Sequence, residues 1–473
     1  MKKLISMVLC VVLMLGLCAC GESGGKENEQ SAGAEATGLQ VGFGRESMMP
    51  RGSCWLGGGG EGRVSEGFSD MSYVTCVAIT EGEETILLYT ADIISPSEKF
   101  LPATEAAITE ATGVPAERIL FAATHTHSGV GINYTWDGVE DYRKEFAKAA
   151  AKAGTVAMED RASAEVWSGS TQTEQMTFVR HYLNEDGSFF GSNFGTSGNV
   201  KGHAYEADTE LQVVKFARAA EDKKDVVLMS FPTHGTFNES GKTLSADFPA
   251  PCREYIEANS DSLVAYFMGT AGDQTPSSRI AGEALTDDYK VYGEKLGQYV
   301  LDTLPSLTKA AGSGIKFQSE TYSFSSNKEG MDKLPQAQEV VNAEKANGRS
   351  HPTTKALIQD YGFASFWDAK YTISRSKLGD TINKTIYTME IGGISLIVAP
   401  YEMFSVHGRH VKENSPYDMT FIITCCEDSG YIPTEEAFGY RSYEAQVTSY
   451  AKGTGEALAE NFVQLLTQMK TPE

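Results

Sequence analysis

The chain has 473 residues, with 40 Lys and Arg against 63 Asp and Glu, for a formal net charge of −23. Acidity on this scale argues against nucleic acid and anionic lipid headgroups as partners, since both repel a negative surface. Five cysteines follow Cys20, an odd set without paired spacing that is not a disulfide framework, although Cys54 and Cys76 are candidates for one bridge.

Lys2 and Lys3 precede an apolar run from Leu4 to Leu17, and the segment closes as Leu17-Cys18-Ala19-Cys20. Residues 1–19 read as a secretory signal, too short for a membrane span. Small Ala19 before Cys20 resembles the end of a bacterial lipobox, with lipid added to the Cys20 sulfur. Residues 20–37 are Gly, Ser, Glu, Ala and Gln without apolar periodicity, a flexible tether. Residues 38–473 are then an extracytoplasmic unit, lipid-anchored to the bacterial cell membrane and large enough for one or two domains. No internal repeat is visible.

The folded part opens with Leu39-Gln-Val-Gly-Phe-Gly-Arg45 and a Gly-rich turn at Gly57–Gly60. From Tyr73 a pattern recurs, in which a short apolar run ends in a polar or glycine-bearing break. Thr85–Ala91 ends at Asp92, Ile119–Ala123 at His125, and Val226–Phe231 at His234. Leu263–Met268 ends at Gly272 and Asp273, Ile394–Ala399 at Glu402, and Phe421–Thr424 at Glu427 and Tyr431. Between these runs, Pro102–Thr112, Tyr142–Met158, Ala281–Leu304 and Tyr443–Met469 carry apolar residues at three- and four-residue spacing, as helices do. Strands alternating with helices predict an α/β fold: a mixed β-sheet core flanked by helices, with the active site at the C-terminal ends of strands.

The run Ile119–Gly131 is the most informative. Its buried-strand reading ends in His125 and His127, one residue apart and projecting to the same side, then Ser128, Gly129 and Gly131. His125, His234 and Glu402, two imidazoles and a carboxylate, are a plausible zinc shell with an open position. The alternative is that each is an ordinary polar residue at a strand end.

The ordered motifs resemble the amino-terminal catalytic domain of the neutral (non-lysosomal) ceramidase family, over Val41 to about Ala445. Val41-Gly-Phe-Gly-Arg45, Tyr89-Thr-Ala-Asp92, Ala123-Thr-His-Thr-His-Ser-Gly129 and Arg180-His-Tyr-Leu-Asn184 are similar to family segments. So are Asp208–Phe216, His234-Gly-Thr236, Ser245-Ala-Asp247, Gly272-Asp273, Pro400-Tyr-Glu402, Tyr431-Ile-Pro-Thr434 and Tyr443-Glu444. The resemblance implies one Zn2+ per chain held by His125, His234, Glu402 and Tyr431. It implies His127 as proton shuttle or orienting group, Arg180 stabilising charge on the substrate carbonyl, and Tyr443 as hydrogen-bond donor. It further implies cleavage of an amide (N-acyl) bond in a lipid-like or other small substrate, the alternative being an ester bond of a non-ceramide substrate cut by metal-bound water.

The departures are specific. The family's Gly-Asp-x-Ser-Pro is Gly272-Asp273-Gln274-Thr275-Pro276 here, so Thr275 stands where the nucleophilic Ser is expected, and the resemblance carries over Asp273 as a further catalytic residue. Either Thr275 or water then attacks. Val130 replaces a proline, and the family's carboxy-terminal domain is expected to be absent. Two other readings compete: a solute-binding lipoprotein, and a family member that keeps the metal but has lost hydrolysis at Thr275. By elimination, the Gly57 loop and Met331–Arg375 are the places for a lid or specificity wall.

Overall fold

The apolar runs become strands because each is buried along its length. In the computed structural model, which describes residues 38–60, 62–427 and 430–470, the first sheet contains β1 (Gln40–Ser47), β2 (Tyr73–Glu81), β3 (Glu84–Ala91), β4 (Ile119–Ala123), β5 (Ala162–Gln172), β6 (Glu210–Arg218), β7 (Asp225–Phe231) and β8 (Ser262–Met268). The signal, the tether and Cys20 lie outside the described residues. The hydrogen-bonded order is β8-β7-β6-β5-β1-β2-β3-β4, and Thr308–Lys309 adds to β5 to make nine strands. The sheet is mixed: β3 with β4 and β7 with β8 run parallel, while the pairings between them are antiparallel. A second sheet follows the order β9 (Ile315–Ser325), β10 (Thr381–Ile391), β11 (Ile394–Val398) and β12 (Thr420–Ile423).

The two sheets pack face to face. Along β4, Leu120 and Ala122 join Leu228, Phe267, Leu396 and Phe421 in the core between the sheets, while Ile119, Phe121 and Ala123 point the other way. That alternation is the period-two signature of a strand buried on both faces. The outer face of the large sheet is covered by α1 (Leu101–Thr112) and α2 (Val139–Glu159), where Phe121 stacks on Tyr89 at 5.1 Å and meets Phe146 at 5.8 Å. Further along, α3 (Pro249–Asn259) and α4 (Tyr289–Thr303) cover β7 and β8 through Phe248, Ile256, Tyr292 and Leu296. The outer face of the small sheet packs through Ile397 and Ile422 on α8 (Ser405–Asn414) and α11 (Thr454–Lys470). The result is four layers: helices, sheet, sheet, helices.

Two predicted helices are shorter than their apolar spacing suggests. The stretch from Ala281 becomes helical only at Tyr289, because the Asp288 carboxylate accepts the Lys290 N–H and starts the helix there. Tyr443–Met469 is broken into α10 (Tyr443–Val447) and α11, preceded by the short α9 (Glu435–Gly439). Thr448 is extended and its hydroxyl donates to the Tyr431 carbonyl, while Gly453 adopts φ +86°. Residues 331–375 form α5 (Leu334–Asn347), α6 (Pro352–Asp360) and α7 (Phe366–Arg375) around a small core of Ala337, Val340, Phe363, Phe366 and Ala369. Cys54, Cys76, Cys252, Cys425 and Cys426 are all free and buried, so the candidate Cys54–Cys76 bridge is not formed.

Among the described residues, no helix is long and apolar enough to cross a membrane.

Candidate metal centre

The strand ends converge as the sequence pattern requires. His125 follows β4 at φ +61°, a left-handed turn that swings its ring off the strand axis. Thr126 bridges Gly235 in parallel, and the His127 amide donates to the Gly235 carbonyl, which brings the loop after β7 against the loop after β4. Glu402 and Tyr431 come from the second-sheet side of the molecule. They are directly paired in a two-residue parallel ladder, Glu402–Met403 with Tyr431–Ile432. Gly272 backs this ladder so closely that a Cβ there would stand 2.3 Å from the Glu402 carbonyl oxygen.

The hydrogen bonds fix the tautomers of the imidazoles. The Nδ1 of His125 lies 2.6 Å from the Ile94 carbonyl, and that of His234 lies 2.9 Å from the Gln274 carbonyl. A carbonyl only accepts, so both Nδ1 atoms carry the proton and both Nε2 atoms present lone pairs. The Nδ1 of His127 faces Glu239 at 3.2 Å, with the same consequence. The three imidazoles form a group whose ligand atoms all lie within 4.8 Å of one another. The Nε2 atoms of His125 and His127 are 3.4 Å apart, and Glu402 Oε2 is 3.4 Å from the Nε2 of both His125 and His234.

Ring nitrogens and a carboxylate oxygen therefore crowd around one point. His234 Nε2 and Glu402 Oε2 are buried and have no hydrogen-bond partner, an arrangement that is costly in a low-dielectric interior unless a cation sits among them. Donors placed 2.0–2.1 Å from a shared tetrahedral ion stand about 3.4 Å apart, the spacing seen here. Nitrogen and carboxylate donors with each imidazole held through its second nitrogen suit zinc, so the residues present fit the implied ion.

The surrounding charges agree. Burial, reinforced by the Arg180 charge, lowers the His234 pKa to about 3 and keeps the ring neutral. Burial opposes ionisation of Glu402, but the His125 charge and the contacts from His125 and His234 outweigh it and hold its pKa well below the usual carboxylate range. Burial likewise opposes charge on His125, but Cys425 and Glu402 outweigh it and raise its pKa. The hydrogen bond to His127 is the main reason Glu239 titrates at about 2. Burial lowers the pKa of His127 itself.

No protein-family model and no curated protein sequence matches the chain. The structure does have neighbours. The neutral ceramidase from Pseudomonas aeruginosa superposes with a TM-score of 0.65 at 17% identity, covering 92% of this chain and 75% of that one. A ceramidase complexed with C2 gives a TM-score of 0.65 at 15% identity with the same coverage. The fold is the neutral ceramidase fold. The sequence predicts a mixed β-sheet core flanked by helices, and that α/β reading holds, with two sheets in the core in place of one.

Within this ceramidase fold, the remaining sequence candidates occupy distinct places. Arg180 donates from Nε to Glu444 at 2.8 Å and from Nη2 to the Gly272 carbonyl at 2.8 Å, with its Cζ 5.4 Å from the centre of the Tyr431 ring. Tyr443 is half-buried, its ring 6.0 Å from that of Tyr431 and 6.3 Å from Trp367 of α7. The helical segment 331–375 thus reaches the site region. Thr275 lies on the strand pair with Phe178, one residue beyond the carbonyl that holds His234. Its hydroxyl is 3.3 Å from Ser277 Oγ, not on an imidazole. Asp273 is fully buried and accepts from the Ser405 amide at 2.7 Å and hydroxyl at 2.8 Å, which places its carboxylate at the start of α8.

Sequence reasoning gave no role to Glu239, Arg63, Glu444 or Cys425. Arg63 donates to the carbonyls of Gly57, His127 and Glu239, which ties the Gly-rich loop down over His127. Cys425 Sγ lies 3.6 Å from His125 Nδ1, and burial raises its pKa, so it packs there as a neutral thiol. Only Glu444 stood in a recognisable motif. Glu239 and Arg63 lie in loops without periodicity, and their partners are set by tertiary contact alone.

Proposed function

We propose that the protein is a zinc-dependent hydrolase that cleaves an amide (N-acyl) bond in a lipid-like or other small substrate. One observation carries the reading: the Nε2 atoms of His125 and His234 and the Glu402 carboxylate oxygen converge on one point, with the His127 ring in the same group, and His234 Nε2 and Glu402 Oε2 are buried without a hydrogen-bond partner. A binding protein has no use for so costly a cluster. The neutral ceramidase fold supports the reaction class.

His125, His234 and Glu402 would hold the ion, with Tyr431 beside Glu402 in the ladder as the fourth ligand. Bound there, zinc supplies Lewis acidity and a more acidic water. The protein's own groups do the rest. Glu239 holds the Nδ1 proton of His127, leaving Nε2 to take the proton of the attacking hydroxyl and return it to the leaving amine. Arg180 offers a guanidinium for the negative charge that develops on the carbonyl oxygen, with Tyr443 as a further donor. Water is the preferred attacking group, because the hydrogen bond of the Thr275 hydroxyl runs to Ser277 Oγ at 3.3 Å. The chain is further proposed to be exported and tethered through lipid on Cys20, which would put this chemistry outside the cell.

Elemental analysis of purified protein, beside a His234→Ala variant, tests the core of the proposal. About one zinc per chain, lost in the variant, with chelator-sensitive hydrolysis of N-acyl substrates, is expected. A protein that takes up no metal when zinc is supplied would sink it and leave a solute-binding role.

A further inference from the structure

Arg180 and its neighbour His181 both close on one carboxylate from the far end of the sequence. Glu444 is fully buried. Its Oε1 accepts from Arg180 Nε at 2.8 Å and lies 2.7 Å from Nη2. Its Oε2 lies 2.8 Å from His181 Nε2, and His181 Nδ1 is 2.8 Å from the Tyr440 hydroxyl. Arg180 Nη2 also donates to the carbonyl of Gly272, the glycine packed against Glu402. Taking a carboxylate, a guanidinium and an imidazole out of water together is a poor way to gain stability. It is an effective way to fix a direction. The Nε–Nη2 edge of the guanidinium is pinned, its plane is set, and Cζ stands beside the Tyr431 ring.

We propose that Glu444 is a positioning residue: through Arg180 it sets the direction of the guanidinium toward the substrate oxygen, and His181 with Tyr440 fixes Glu444 in turn. This rests on the hydrolase reading above, and it assigns a role to a residue whose own atoms do not touch the ligand group.

A double-mutant cycle on the zinc-loaded full chain reads this directly. Glu444→Gln is expected to lower kcat by about 10- to 100-fold, as loss of an orienting partner does, with KM within about threefold and zinc content unchanged. In an Arg180→Ala background the same change is expected to cost nothing further, because its only route to the substrate is gone. A further loss in that background, or a Glu444→Gln enzyme as fast as the parent, overturns the proposal. Where Glu444→Gln alone fails to fold, Arg180→Ala/Glu444→Gln removes both buried charges, and its rate against Arg180→Ala still decides. Guanidinium ion gives a readout free of hydrolysis. Millimolar guanidinium should raise the melting temperature of Arg180→Ala but not that of the double variant. If the parent hydrolyses nothing, the functional reading fails; if the two melting responses are equal, the positioning role fails.

Discussion

Glu402 and Tyr431 are register partners in a two-residue parallel ladder, so their side chains leave neighbouring strands on the same side. The Glu402 carboxylate meets His125 and His234 at 3.4 Å on one side, while the Tyr431 ring lies beside Arg180 on the other. The carboxylate that faces the two imidazoles and the ring beside Arg180 thus sit on one short two-strand element.

Removing either side of the ligand group should remove the metal. Glu402→Gln and His234→Ala are each expected to retain less than about a tenth of the parent's zinc after dialysis, since one donor is lost from a site of four. Metal-loaded parent should melt above its chelated form, because the ion binds only the folded state. Equal melting temperatures with and without chelator would contradict this.

The loop over His127 has no room for a side chain. Gly58 adopts φ +70°, and a Cβ there would stand 2.6 Å from His127 Cβ. Gly58→Ala is expected to cost at least ~1–2 kcal/mol from the left-handed backbone alone and to displace His127. Urea unfolding with activity on the same samples checks both. The neighbouring Gly60, also at positive φ but with open space around its Cβ, is the control that should keep activity when changed to alanine.

Glu239 holds the tautomer of His127. Glu239→Gln keeps the size but weakens the acceptor, and kcat is expected to fall about 10- to 100-fold with zinc content unchanged. Loss of zinc in this variant would move His127 from proton transfer to metal holding.

Glu444 titrates at about 2 in the folded protein against an ordinary 4.5; burial opposes this, and His181 and Arg180 outweigh it. A depressed carboxylate stabilises the fold above its unfolded-state pKa. Its contribution, on the order of 3 kcal/mol, is therefore present at neutral pH and lost as pH falls from about 4.5 toward 2. Urea midpoints of metal-free protein across this window should fall steeply for the parent and less steeply for Glu444→Gln.

Thr275→Val removes the hydroxyl while keeping the shape. With water attacking, the variant should stay within about tenfold of the parent in kcat/KM. A drop of three orders of magnitude would make Thr275 the nucleophile.

Local chemistry made much of this protein legible from its sequence. Parallel strands buried on both faces must be continuous apolar runs, and all six runs, from Thr85–Ala91 to Phe421–Thr424, overlap strands of the two sheets. The breaks that follow carry His125, His234, Glu402 and Tyr431, since functional side chains gather where buried strands reach a crevice. Helix ends were less legible: the Asp288 cap and the Thr448–Gly453 break depend on single side chains and one positive φ. Tertiary structure alone decided the distances and the partners. Glu239 on His127, Glu444 across 264 residues on Arg180, and Arg63 beneath the Gly57 loop follow no spacing rule. Their contacts exist only because the two sheets pack face to face and bring the ends of separate strands to one point.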